Sequence, residues 1–115
     1  MKKFGIAACA LVASLGLGMQ AHASDAAFGY ISGPFGMSNG AVLFFTSGAR
    51  TTPPACSGPN LERRYALNAS TIAGQSQLSV LMTAYAMGKR ITIHGTGTCS
   101  IWGDTETVDY FAVEE

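Results

Sequence analysis

The rhythm of apolar and polar positions changes several times along this chain. Residues 4–19 are uncharged and mostly apolar, behind Lys2 and Lys3, and they lead into Ala21-His22-Ala23. From residue 28 the pattern shortens to β-like runs. Residues 28–31 and 41–46 are rich in aromatic and β-branched side chains, with Gly33, Pro34, Gly36, Asn39 and Gly40 between them. An Asn-Gly pair between two such runs favours a hairpin, because its left-handed backbone suits the twist of paired strands. Residues 47–60 hold three prolines and two glycines and read as a loop that carries Cys56. Residues 63–68 then predict a third strand, with Tyr65 and Leu67 on one face.

Next the period lengthens to that of a helix. Ser70 or Thr71 supplies the N-cap, Gly88 the stop, and Lys89 and Arg90 follow where the helix dipole favours cations. Leu78, Leu81, Met82 and Tyr85 recur at helical spacing and are expected to face the core. The opposite face gathers Ser76, Ser79, Val80, Thr83 and Met87, and residues 73–87 contain no charge. A solvated helix face normally carries charges. Either the chain's own loops cover this second face, or it packs against another subunit through Ser76, Val80, Thr83 and Met87. Beyond Gly88 the pattern alternates, with Ile91 and Ile93 inward in a strand at 90–94 and a last strand at 107–113.

The first segment has the form of a secretory leader: a positive start, a short apolar run and a small-x-small cleavage site after Ala23. It is too short and glycine-broken for a membrane anchor. Its removal leaves 92 residues, 24–115, expected to be a soluble exported domain, periplasmic or secreted. Cys9 departs with the leader, so Cys56 and Cys99 remain as a pair. In an exported domain this small, such a pair is expected to form a disulfide. Two cysteines and one histidine, His94, make a poor zinc set, and no metal or other cofactor is expected. Five basic residues against seven acidic ones give a net charge of −2, which argues against nucleic acid and against stable membrane association.

The order β-β-β-α-β-β, with one helix between the third and fourth strands, is that of a small five-stranded OB-fold-like barrel. The stretch from Gln77 to Ile93, a helix followed by Gly88-Lys89-Arg90 and a strand, resembles the B subunits of bacterial AB5 toxins, the subtilase-cytotoxin type in particular. That resemblance implies a ring of five identical subunits with helices around a central pore, and recognition of cell-surface glycans by exposed loops. Cys99-Ser100-Ile101-Trp102 is similar to the cysteine and sugar-stacking tryptophan of the cholera-toxin type, with one extra residue between them.

Trp102, Asp104 and Glu106 are therefore the candidate ligand-binding residues: an aromatic face for a sugar ring and two carboxylates to accept its hydroxyls. The alternative for Trp102 is a cap on one end of the barrel. His94 lacks any nucleophile signature around it, so no catalytic residue is assigned and the domain reads as non-enzymatic. The expected function is an exported binding module for a glycan or a protein partner. A periplasmic structural or inhibitor protein, presenting the loop at 48–60 to another envelope protein, is the other reading.

Overall fold

The computed structural model describes residues 23–115, so the expected leader lies outside the described residues except for Ala23. Five strands and one helix follow in the expected order: β1 (Asp25–Gly36), β2 (Ala41–Thr46), β3 (Arg64–Asn68), α1 (Ile72–Met87), β4 (Arg90–Gly95) and β5 (Glu106–Val113). The strands close into a barrel in the order β1-β2-β3-β5-β4. Neighbours run antiparallel except β3 and β5, which meet in parallel over Tyr65↔Glu106 and Ala66↔Thr107. This is the OB-fold closure. Among the described residues, no helix is long and apolar enough to cross a membrane.

β1 is longer than its sequence pattern suggests because it serves two partners. Its first half pairs with β4 and its second half with β2, and a break in register interrupts each ladder. Gly33 and Pro34, which read as turn punctuation, sit at the second break. Glycine and proline mark bulges as readily as turns, and a bulge is what bends one strand around a barrel corner. The hairpin turn falls at the Asn-Gly pair, where Asn39 Oδ1 accepts from the Ala41 amide at 3.1 Å.

Alternation fills the barrel from all sides. Ile31, Val42, Phe44, Tyr65, Leu67, Ile91, Ile93 and Val108 pack inside. The outer side of β2 and β3 carries a second, smaller cluster of Ala41, Leu43 and Ala66, covered by Met37, Ile101 and Trp102. The segment that brings Ile101 and Trp102 there is pinned by the Cys56–Cys99 disulfide, whose Cα atoms are 6.1 Å apart. Closing a loop of 43 residues this way contributes about 4 kcal/mol in the chain-entropy account.

α1 lies across one mouth of the barrel, at the end where β3 stops and β4 starts. Thr71 Oγ1 accepts from the Gly74 amide at 2.9 Å, and Gly88 ends the helix in the left-handed conformation. The buried stripe differs from the expected one: it is Gly74, Leu81 and Ala84, with Leu78 half-buried. Met82 and Tyr85, expected to be buried, are 40% and 44% exposed. The reason is steric. The helix start sits so close to the Asn68 carbonyl that Gly74 must face it, which turns Leu81 and Ala84 inward in place of Met82 and Tyr85.

A Cβ on Gly74 would stand 1.6 Å from the Asn68 carbonyl oxygen. Glycine-to-alanine on an open helix surface ordinarily gains about 0.8–1 kcal/mol. Gly74→Ala is instead expected to cost on the order of 2 kcal/mol, because helix and rim must separate. Urea unfolding against Ser76→Ala, an exposed control on the same helix, measures the difference.

Candidate functional site

The outer surface of α1 is the least satisfied part of the molecule. Ser76, Val80, Thr83 and Met87 are all exposed, Val80 by 47% and Met87 by 65%. Two grooves run along the seam between this flank and β5, and Val80 lines both. One, of about 290 Å³, lies between Ser79, Thr83 and Met87 on the helix and Val113 on β5. The other, of about 210 Å³, lies between Ser76 and Gln77 on the helix and Tyr110 and Phe111 on β5. The opposite flank forms a further depression of about 280 Å³, where Leu78 and Met82 face Pro34, Phe35 and Val42. Water meets apolar side chains on both flanks, and no charge stands among residues 73–87. Such a surface is usually covered in the working molecule.

The three expected ligand-binding residues do not converge. Trp102 is half-buried on the Ala41–Leu43–Ala66 cluster, which gives it a packing role on the outside of β2 and β3. That surface is where OB-folds commonly receive ligands, and here the chain's own residues occupy it. Asp104 is half exposed and takes an ion pair from Arg64 Nη2 at 2.8 Å. Glu106 has no exposed surface at all. A sugar hydroxyl therefore has no access to it, and the expectation that it binds ligand is corrected.

Glu106 instead anchors a polar network in the barrel end opposite α1. Its Oε1 accepts from Arg50 Nη2 at 2.7 Å and from the Ser24 hydroxyl. Its Oε2 accepts from the Ser24 amide at 3.0 Å and the Gly97 amide at 2.8 Å. With its O–H donating to Glu106, the Ser24 hydroxyl oxygen accepts from Arg50 Nε at 2.9 Å and from the Tyr65 phenol at 2.9 Å. The Arg50 guanidinium also lies over the Tyr65 ring, 4.1 Å from its centroid. Burial pushes the Tyr65 phenol above its ordinary value and keeps it a donor. Arg50 further donates to the carbonyls of Glu62 and Arg64, which fastens the long loop to β3. Gly95 leaves room for the carboxylate, since a Cβ there would meet Oε2 at 2.1 Å.

A second cluster that the sequence reading missed lies on the outer face of β1, β4 and β5. His94 stacks on Tyr110 with centroids 4.3 Å apart, and its Nδ1 stands 2.7 Å from Asp25 Oδ1. The three residues are opposite one another in register, Asp25↔His94 and His94↔Tyr110. The strand ladder therefore assembles them. Tyr110 is exposed and also lines the groove beside Val80. At the other end of β4, Arg90 binds both carboxylate oxygens of Glu114 and holds that carboxyl down to about 2.

No family model, curated protein or solved structure matches this chain. The fold class rests on its own geometry: a disulfide-bonded, five-stranded OB-fold barrel with one helix across its mouth.

Two outcomes test this arrangement. Arg50→Met leaves Glu106 buried without its cation and is expected to cost about 3–5 kcal/mol in unfolding free energy, read by urea denaturation. The Glu114 carboxyl titrates below the usual carboxylate range, so its contribution is complete above the ordinary value near 4.5 and fades as pH falls toward 2. Arg90→Ala should return that titration, followed by NMR, to the ordinary range.

Proposed function

We propose that this protein is an exported, non-enzymatic binding module whose subunits assemble into a ring through the outer surface of α1 and present a glycan- or protein-binding surface to the outside. The observation that carries this reading is the helix itself. It spans sixteen residues, buries only Gly74, Leu81 and Ala84 fully, and exposes Ile72, Val80, Met82, Tyr85 and Met87 with no charge between them. Apolar grooves on both flanks suit a ring, in which each helix meets a neighbour on either side. Covering three or four such side chains per subunit contributes several kcal/mol at about 25 cal/mol per Å², before the cost of association. The likeness of the helix-Gly-Lys-Arg-strand stretch to AB5 toxin B subunits supports a pentamer.

For the ligand, Tyr110 is an exposed aromatic with polar neighbours, whereas Trp102 is half-buried. Its exposed ring, beside Ser76 and Gln77 and outside the groove that holds Met87, offers a contact for a sugar, and Asp25 and His94 beside it offer hydrogen-bonding groups. Two features argue against nucleic acid: Ile101 and Trp102 fill the outer side of β2 and β3, and the charge of residues 24–115 is weakly negative.

Light scattering on residues 24–115 at micromolar concentration tests the assembly. The expected result is a closed oligomer, with Val80→Lys/Thr83→Glu a folded monomer of unchanged circular dichroism. A monomeric wild type overturns the ring and leaves the helix surface to a different envelope protein. Screening the same protein on a glycan array, with Tyr110→Ala beside it, tests the ligand: binding lost in the variant supports the stacking role, and no glycan bound by wild type overturns it.

A further inference from the structure

Ser24 is the most deeply placed of the residues nearest the expected cleavage point. Ala23 is exposed, while Ser24 has no exposed surface. The Ser24 carbonyl accepts from the Gly95 amide at 2.8 Å, its hydroxyl reaches Glu106, Arg50 and Tyr65, and its nitrogen points at Glu106 Oε2 from 3.0 Å. Glu106 is unevenly served. Oε1 faces the guanidinium of Arg50, whereas among the described residues Oε2 faces two uncharged backbone N–H groups, those of Ser24 and Gly97.

We propose that the Ala23–Ser24 peptide bond is hydrolysed before the barrel closes, and that the freed α-ammonium of Ser24 is kept as an internal cation paired with Glu106. Water is the co-reactant and a signal peptidase the catalyst. The C–N bond breaks, the water oxygen stays on Ala23 as a carboxylate, and both water protons go to the Ser24 nitrogen. That nitrogen then carries a full positive charge where the amide N–H stood, so each Glu106 oxygen faces a cation. The two further N–H groups turn toward the side that Ala23 vacates, where water satisfies them. The order of events follows from burial: a peptidase grips the residues on both sides of its bond, and Ser24 is out of reach once β1 has paired with β4. Processing thereby supplies a charge that completes the closed end of the barrel. This inference rests on the export reading for the cleavage itself and on the Ser24–Glu106 geometry for the consequence.

An ion-paired amine and a merely buried one titrate in opposite directions. Burial and the neighbouring Arg50 guanidinium lower the pKa of the amine, and the Glu106 carboxylate raises it. The groups facing Ser24 are Glu106 from β5, Arg50 from the long loop and Tyr65 from β3. On β4, Gly95 is uncharged and His94 turns to Asp25. A raised value in the folded state makes the contribution complete below about pH 8 and lost as pH climbs through the folded value.

Residues 24–115 contain two amines, the Ser24 α-amine and Lys89 Nζ, so trace acetylation read by mass spectrometry resolves both. The exported protein is weighed intact, then labelled across about pH 6–11, native and in urea. The expected mass begins at Ser24. In urea its amine should titrate near the ordinary ~8, and in the native protein at least about one unit higher. At pH 8 it should also label at least about fivefold more slowly when native. Glu106→Gln, if folded by circular dichroism, should bring the titration to ~8 or below. If that variant does not fold, the native and urea titrations of wild type decide alone. A mass beginning elsewhere overturns both the cleavage position and this inference. A Ser24 start with a native titration at or below the ordinary value overturns this inference only.

Discussion

Glu106 is a carboxylate without exposed surface, and the closed end of the barrel is organised around giving it a cation. Moving an ionised carboxylate out of water costs several kcal/mol even after relaxation, so an unpaired Glu106 would open the structure. Arg50 reaches it from near the start of a proline-rich loop with no strand or helix of its own. In doing so it draws in that loop, the start of β1 through Ser24 and the start of β3 through Tyr65, while Glu106 itself holds the turn after β4 through the Gly97 amide. The parallel contact of β3 and β5 is short, and it lies beside this network at Tyr65↔Glu106. Polar interactions thus hold one end of the barrel, and α1 covers the other.

The same economy shapes the surface. Arg50, Arg64 and Arg90 are paired with Glu106, Asp104 and Glu114, so much of the molecule's small stock of charge is committed to its own strands and loops. Little remains for α1, whose outer flank meets a cation only at Lys89, beyond its last turn. A helix that packs along the narrow line of Gly74, Leu81 and Ala84 leaves most of its circumference outside. Apolar side chains there are costly in water and useful against a partner, and the proposal of a ring follows from that balance.

Much of the fold was legible because its signals are local. Asn39-Gly40 marks the hairpin, Thr71 and Gly88 bound the helix, and Cys56 and Cys99 form the disulfide. The tilt of the helix was not legible. Hydrophobicity points to Met82 and Tyr85, whereas the close approach of Gly74 to the Asn68 carbonyl turns Leu81 and Ala84 inward, which is a matter of shape. Glu106 was misread for a different reason. Set beside Asp104 it looks like part of a polar turn, but it lies two residues before the inward Val108 and so shares its face. Arg50 could not be matched to it, because nothing in a sequence marks contact across 56 positions. The Asp25–His94–Tyr110 cluster was hidden likewise, since strand register alone brings its members together.

The central claim is that the outer flank of α1 is covered by another copy of this chain. Met87 reports on it directly, being largely exposed on the single chain, while Met37 packs on the cluster outside β2 and β3 and serves as an internal reference. Oxidation of each methionine by dilute peroxide, followed by mass spectrometry across a dilution series, reads the coverage. The account predicts a Met87 that is protected at high protein concentration and becomes reactive on dilution, while Met37 stays constant. A Met87 that oxidises as fast as a free methionine at every concentration would contradict it.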